Sequence, residues 1–171
     1  MTPLTDAPTL RTERLTLRGP AREDMGPYVA WSTASPRLAA MGDLVTAGEA
    51  WRGFLLGVGH WRWHGYGFFT LRRHEDPAPL GRVGLLGWEA DVELAWHLFD
   101  AAEGRGYATE AARAVRGWAY DTHAVDRLVS YIDHRNARSQ AVARRLGART
   151  DGARAAHDPE AEIWIHERPA P

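Results

Sequence analysis

The amino-acid sequence predicts a single α/β domain in which helices flank one mixed β-sheet. Its 171 residues are the usual size of one domain with one core. No internal repeat, low-complexity segment or Pro/Ser-rich linker divides the chain. Segments of strand and helix periodicity follow in the order strand, two helices, three strands, helix, strand, helix, two strands. A strand–helix–strand unit within such a series implies a crossover in the sheet.

The first half of the chain supplies one strand and two helices. Alternation of apolar and polar residues predicts a strand over 14–18. Apolar residues at three-residue spacing predict a helix over 22–31. A second amphipathic helix is predicted to begin near Thr46, because apolar residues recur at i, i+3, i+4 and i+7. The members of this series that we expect in the core are Trp51, Phe54 and Val58.

Strand periodicity returns in the second half of the chain. We predict strands over 66–72, 81–88 and 91–99, and in the last of these Glu93 and His97 share the face opposite to the apolar residues. The remaining predicted elements are a helix over 107–120, a strand over 127–132, a helix over 137–146 and strands over 149–155 and 162–167.

Composition excludes several classes of function. The chain has no cysteine, so it has no disulfide, thiolate metal site or cysteine nucleophile. Its formal net charge is −1, and the two signs are spread along the chain, which argues against nucleic-acid binding. No apolar run approaches the ~20 residues of a membrane span. We therefore expect a cytoplasmic protein that binds neither nucleic acid nor membrane. His60 and His64 have helical i, i+4 spacing but no accompanying acidic base, so we expect no metal.

A glycine-rich turn carries the first sign of chemistry. Residues 93–112 lead from a predicted strand through Gly104 and Gly106 into a predicted helix. The first amides of a helix lack internal partners and carry the positive end of the helix dipole, and glycine lets a phosphate approach the backbone closely. Such a turn is also an ordinary connection, so taken alone it leaves both interpretations open.

The same segment resembles a known family. Residues 104–111, GRGYATEA, are similar to the acetyl-CoA loop of GNAT N-acetyltransferases, most of all the bacterial branch of ribosomal-protein N-terminal acetyltransferases (RimJ/RimL-like). The N-x-x-S motif of Asn136 and Ser139, followed by a helix that ends in Leu-Gly, resembles that branch's second CoA motif. Residues 10–18 and 81–84 also match. The resemblance covers residues 10–168, between short tails over 1–9 and 169–171, and implies a mostly antiparallel sheet.

The resemblance implies an enzyme that moves the acetyl group of acetyl-CoA to a primary amine by direct attack in a ternary complex. A protein or peptide α-amine is favoured as the acceptor, with a small-molecule amine as the alternative. A monomer and a homodimer are both compatible with the sequence. The other class of function is a degenerate module that binds acyl-CoA without turnover. Glu103 favours it, because the family usually has Gln or Arg there and a carboxylate repels pyrophosphate. We expect Glu103 to point away, with Arg105 offsetting its charge.

Individual site residues follow from the resemblance, each with a structural alternative. Glu93 is the candidate base, acting through water, or else a strand carboxylate paired with an arginine, in which case a route through His97 or water stays open. Ser139 is the candidate acid for the departing thiolate, or else a helix cap. Tyr107, Tyr120 and Tyr131 could also serve as the acid. Residues expected to contact acetyl-CoA are Trp96, His97, Leu98, Gly104, Arg105, Gly106, Tyr107, Ala108, Thr109, Asn136 and Ser139, of which Asn136 could instead be an N-cap.

The acceptor site is expected at the exits of the first two helices, as in GNAT folds. Its predicted lining is aromatic and acidic, which suits an ammonium group on a peptide or small molecule. Asp91 is expected to add a carboxylate to the approach. An α-amine is cheaper to deprotonate at neutral pH than a lysine side chain, by roughly 3 kcal/mol, which favours α-amines. The predicted acceptor-binding residues are Trp61, Trp63, Trp88 and Glu89.

Overall fold

The computed structural model describes residues 4–87 and 91–168, which form eight strands and five helices. The strands are β1 (Leu10–Arg11), β2 (Leu15–Arg18), β3 (Phe68–Arg73), β4 (Gly81–Gly87), β5 (Val92–Leu98), β6 (Leu128–Asp133), β7 (Arg154–Ala155) and β8 (Asp158–His166). The helices are α1 (Met25–Ala34), α2 (Pro36–Met41), α3 (Ala47–His64), α4 (Tyr107–Thr122) and α5 (Ala137–Arg145).

The strands form one sheet in the order β1-β2-β3-β4-β5-β6-β8-β7. Every neighbouring pair is antiparallel except β5 and β6, which α4 connects. The predicted mixed, mostly antiparallel sheet with a crossover is therefore confirmed.

The parallel pair opens soon after it begins. β5 and β6 pair only at Val92 with Leu128 and at Glu93 with Val129. On its other side β5 pairs with β4 along its whole length. The carboxyl half of β5 therefore has a strand partner on one side only, and a gap separates it from β6.

The two faces of β5 lie against different helices. Leu94 and Leu98 are buried in the main core, which also contains the apolar face of α4. Glu93 and His97 face the other way, towards a second cluster formed by α1 and α3. The alternation predicted for this strand is thus observed, and it places the polar side chains on the α1 side of the sheet.

Helix α3 begins where the sequence predicted but is rotated relative to the expected face. Thr46 and Glu49 form a reciprocal capping box at its start. The buried stripe contains Phe54 and Trp61, whereas Trp51 is 50% exposed. The prediction that Trp51 lies in the core is wrong, because the stripe starts one residue earlier, at Ala50.

Two small elements were not predicted. Helix α2 starts at Ser35, whose hydroxyl accepts a hydrogen bond from the Leu38 amide (3.3 Å), with Pro36 at the first helical position. Its six residues are too few to give a visible helical period. Strand β1 is two residues long, and only its pairing with β2 makes it a strand. The strand predicted over 149–155 shrinks to β7 and a single bridge from Arg149 to Ile165.

Candidate active site

Two cavities lie on opposite faces of the sheet and meet at the gap between β5 and β6. The larger, about 780 Å³, lies beside α4 and α5, and the smaller, about 330 Å³, lies beside α1 and α2. Trp96, Ser139 and Arg37 line both cavities. A molecule in one cavity can therefore reach a molecule in the other through the gap. The predicted cofactor residues that line the larger cavity are Trp96, Leu98, Gly104, Gly106, Tyr107, Ala108, Thr109 and Ser139.

The start of α4 forms part of the larger cavity. Gly104 and Gly106 have φ angles of 73° and 79°, in the left-handed region that glycine adopts without strain. Gly106 is the N-cap, so no side chain caps the first amides of the helix. Those amides, with the positive end of the helix dipole, can bind an anionic group.

A network of hydrogen bonds holds this loop to the start of β2. The Glu110 carboxylate accepts hydrogen bonds from the Thr12 hydroxyl (2.6 Å) and from the Arg14 side chain (2.7 Å). Arg14 also donates to the Arg105 carbonyl (3.0 Å). Arg105 contributes this backbone contact but lines neither cavity, unlike the other predicted residues of the loop.

Glu103 does not point away from the larger cavity. It lines the wall, and its carboxylate forms ion pairs with Arg37 of α2 (3.2 Å) and with Arg138 of α5. The expectations that Glu103 turns outward and that Arg105 offsets its charge are therefore wrong. Helices α2 and α5 place the two arginines next to Glu103. Both arginines are distant from Glu103 in the sequence, so the sequence alone did not predict this arrangement.

Asn136 and Ser139 divide the two roles that the sequence left open. The Asn136 side chain accepts a hydrogen bond from the Ser139 amide (3.1 Å) and so is the N-cap of α5. The Ser139 hydroxyl instead accepts from the Trp96 indole (3.3 Å) at the junction of the two cavities. Asn136 lines the smaller cavity.

Glu93 and His97 both line the smaller cavity, and the bonds of His97 leave it no site for a further proton. The Nε of Arg82 donates to Nδ1 of His97 (3.0 Å), which places the ring's proton on Nε2 and leaves no free lone pair. Burial, and then the charges of Arg82 and Arg37, lower the pKa of His97 well below its usual value. His97 is therefore neutral at pH 7 and saturated as a hydrogen-bond acceptor.

The three candidate tyrosines occupy different environments. Tyr120 is buried and donates to the His166 carbonyl (2.5 Å). Tyr131 lines the smaller cavity and donates to the Asp91 carboxylate (2.7 Å), and burial together with this bond raises its pKa above the usual value. Tyr107 lines the larger cavity. Neither Tyr120 nor Tyr131 is suited to give up a proton readily.

The predicted acceptor lining is largely wrong where the structure describes it. Trp61 is 7% exposed, and its indole donates to the Phe68 carbonyl (3.0 Å), so it is a core residue. Trp63 is 85% exposed and lines neither cavity. Asp91 is 9% exposed and ion-paired with Arg127 (2.8 Å), so it is no open carboxylate of the approach. Trp88 and Glu89 lie outside the described residues.

Helix α1 contributes two aromatic residues to the smaller cavity that were not predicted to line it. Tyr28 and Trp31 form one wall, and their rings are 6.2 Å apart. Their three-residue spacing identified a helix face, but spacing alone cannot distinguish a core face from a pocket wall.

Within residues 4–87 and 91–168, no helix combines the length and the apolarity needed to cross a bilayer. The same residues contain no group of three or more His, Asp or Glu side chains placed to hold a metal ion.

Comparisons with known proteins agree with this geometry. The family described as "Acetyltransferase (GNAT) domain" matches residues 14–149. An acetyltransferase from Agrobacterium tumefaciens str. C58 is 37% identical, with 94% of this chain and 95% of that chain covered and a TM-score of 0.87.

Ribosomal-protein acetyltransferases share the fold at lower identity. The ribosomal-protein-S5-alanine acetyltransferase from Vibrio fischeri is 17% identical, with coverage of 92% and 94% and a TM-score of 0.70. RimL, a ribosomal L7/L12 α-N-protein acetyltransferase in complex with coenzyme A, is 14% identical, with coverage of 92% and 96% and a TM-score of 0.64. From the family match and the Agrobacterium relative, it follows that this chain belongs to the GNAT acetyltransferase family, as its motifs predicted.

Proposed function

We propose that this acetyltransferase binds acetyl-CoA in the larger cavity and a primary amine in the smaller one, and that transfer occurs directly between them. The observation that carries the proposal is the meeting of the two cavities at Trp96 and Ser139, where β5 and β6 part. A ternary complex needs such a passage, because donor and acceptor must touch while both are bound.

The larger cavity fits the cofactor. The uncapped amides at the start of α4 suit a pyrophosphate, and Arg37, Arg138 and Arg145 add positive charge to the wall. The open edge of β5 offers backbone groups to an extended chain in the gap. The cofactor supplies the acetyl group as a reactive thioester.

Glu93 is the proposed general base, acting on the amine through water, because it lines the acceptor cavity and His97 has no free lone pair. Ser139 is the proposed acid, since its hydroxyl lies at the junction. General acid–base help of this kind contributes about 10²–10⁴-fold. Positioning of the two reactants contributes several kcal/mol more.

The acceptor proposed is an α-amine, of a peptide N-terminus or a small molecule. Deprotonating an α-amine with a pKa near 7.8 costs about 1 kcal/mol at pH 7, whereas a lysine ammonium costs roughly 4–5 kcal/mol. The shared fold with RimL and with the S5-alanine acetyltransferase supports a peptide acceptor.

The test compares kcat/KM for a peptide with a free N-terminus and for its N-blocked, lysine-containing twin, with release of free CoA as the readout. We expect faster transfer to the free N-terminus. Faster transfer to the blocked peptide would refute the α-amine proposal, and transfer to neither would redirect it to a small-molecule amine.

A CoA-binding module without turnover is the alternative. The feature that favours this alternative is the repulsion between Glu103 and a phosphate. The ion pairs of Glu103 with Arg37 and Arg138 reduce that repulsion. Binding of acetyl-CoA without CoA release across the whole amine panel would favour that alternative.

A further inference from the structure

Arg82 extends from β4 to the floor of the smaller cavity. Its guanidinium lies between the rings of Tyr28 (4.3 Å) and Phe68 (4.1 Å), and its Nε donates to His97. The side chain is mostly buried, and it lines the cavity. The two rings and His97 hold the guanidinium in one orientation, so less side-chain entropy is lost when a ligand binds it.

The charge of Arg82 has no acidic partner among the described residues. No carboxylate in residues 4–87 or 91–168 lies within 4.0 Å of the Arg82 guanidinium, the distance limit for an ion pair. The other polar contact is the Tyr28 hydroxyl, which can occupy only part of the five N–H donors of the guanidinium, so donors remain for a ligand. A cation this deep is unfavourable without a counter-ion, which an anionic ligand would supply.

The carboxylates of the cavity lie elsewhere in it. Glu93 is four residues from His97 along β5, roughly 13 Å by strand rise. Asp133 is ion-paired with Arg135 (2.6 Å), and Asp43 is exposed at the rim. None of these three carboxylates forms an ion pair with Arg82, and the other guanidinium of the cavity, that of Arg37, is already paired with Glu103.

We infer that Arg82 binds a carboxylate of the acceptor, so that the preferred substrate is an amine that carries a carboxylate a few bonds away. This inference rests on the proposed function. The amine must reach the junction at Trp96, and His97, the neighbour of Trp96, is paired across the sheet with Arg82. The distance from reacting amine to anion is therefore short, of the order of one side chain. A guanidinium fork matches a carboxylate by two parallel hydrogen bonds.

The size of the cavity agrees with this substrate class. Its volume of about 330 Å³ lies at the small end of the range for ligand sites, about 300–1,000 Å³. A free amino acid fits, with its α-carboxylate on Arg82. The first residue of a peptide also fits, and there an acidic side chain supplies the carboxylate.

The experiment measures kcat/KM of the intact protein with matched pairs of acceptors. One arm compares free amino acids with their amides, and the other compares tripeptides that begin with Asp or Glu with those that begin with Asn or Gln. We expect about 10- to 100-fold preference for the carboxylate in one arm, mainly through KM. The arm that shows it identifies the source of the carboxylate.

Variants then assign the preference to Arg82. Arg82→Met should remove it and leave the KM for acetyl-CoA unchanged, whereas Arg82→Lys should keep part of it. Arg62→Met, an exposed charge on α3, is the matched control and should change nothing.

Each outcome bears on a different claim. Equal kcat/KM within both arms of the wild-type protein would overturn the inference and leave the proposed function standing. A preference that survives in Arg82→Met would overturn the role of Arg82. Absence of CoA release with every acceptor would overturn the proposed function, and the inference with it. The comparison of acceptors uses the wild-type protein, so it tests the inference even if Arg82→Met does not fold.

Discussion

The Glu103 carboxylate lies 3.2 Å from the Arg37 guanidinium and so connects the loop before α4 to helix α2 across the wall of the larger cavity. Arg138 of α5 contacts the same carboxylate. One acidic side chain therefore holds two cations beside the place proposed for the phosphates, and it competes with those phosphates for the arginines.

Glu103→Gln should strengthen acetyl-CoA binding, because it releases Arg37 and Arg138 to pair with phosphate. Both arginines are partly exposed, so solvent limits the gain to roughly 2- to 5-fold in Kd, and salt should reduce it further. Calorimetric titration at low and high ionic strength measures the effect. Glu75→Gln, in an exposed turn, is the control. Weaker binding by Glu103→Gln would mean that Glu103 orients the arginines instead of competing for them.

Acetyl-CoA should stabilise the folded protein by mass action, by about 2.7 kcal/mol at a hundredfold excess over Kd. Gly106→Val should remove most of this gain, since a branched side chain is strained at φ 79° and its Cβ would lie 3.4 Å from the Arg14 guanidinium, which holds this loop through the Arg105 carbonyl. Gly152→Val carries similar backbone strain at φ 86° away from the cavity and should keep the full ligand-induced shift. Thermal unfolding with and without acetyl-CoA tests both. An unchanged melting temperature of the parent protein at millimolar acetyl-CoA would refute the cofactor assignment.

Glu93→Gln should lower kcat by ~10²–10³ and spare acetyl-CoA binding, because the carboxylate serves the amine. Ser139→Ala should cost less, about tenfold, since water can protonate a thiolate with a pKa near 8.5. Steady-state kinetics with acetyl-CoA held at saturation separates the two effects. Near-normal turnover of Glu93→Gln would show that the reaction needs no carboxylate base.

The fold should lose stability as the pH falls from 7 to 5, in part through His166. This side chain is 2% exposed, and its Nε2 lies 2.9 Å from the Ser130 hydroxyl, which itself donates to the Leu94 carbonyl. Burial, and then Arg116, lower the pKa of His166 to about 4. Since the native state takes up its proton less readily than the unfolded chain, stability is present above pH ~6.5 and is lost as the pH falls towards 4.

The expected loss for His166 between pH 7 and pH 5 is about 2 kcal/mol, and His97 adds to it in the same direction. Urea unfolding of the parent protein and of His166→Gln at both values of pH measures it. The variant should be less sensitive to acid, whereas His134→Gln, at an exposed position, should behave like the parent. Equal acid sensitivity of His166→Gln and the parent would contradict the assignment.

Local patterns were sufficient to predict most elements and the glycine-rich loop before α4. The alternation in β5 assigned Glu93 and Leu94 to opposite faces, and the helical spacing of apolar residues located the start of α3 near Thr46. Each of these features depends on residues close together in the chain, so sequence spacing alone carries the information.

The sequence by itself thus determined the family, the order of the elements and the glycines that start α4. Only the tertiary structure decided the partners of the charged and aromatic side chains. Arg82 meets His97 because β4 and β5 pair in one particular register, and Glu103 meets Arg37 because α2 packs near the cavity. Trp61 lies in the core and Tyr28 in the wall of the smaller cavity, because the packing of the helices, and not the residue type, decides which aromatic side chains are covered. Contacts between residues distant in sequence arise only when the chain folds, and the smaller cavity is built mainly from such contacts.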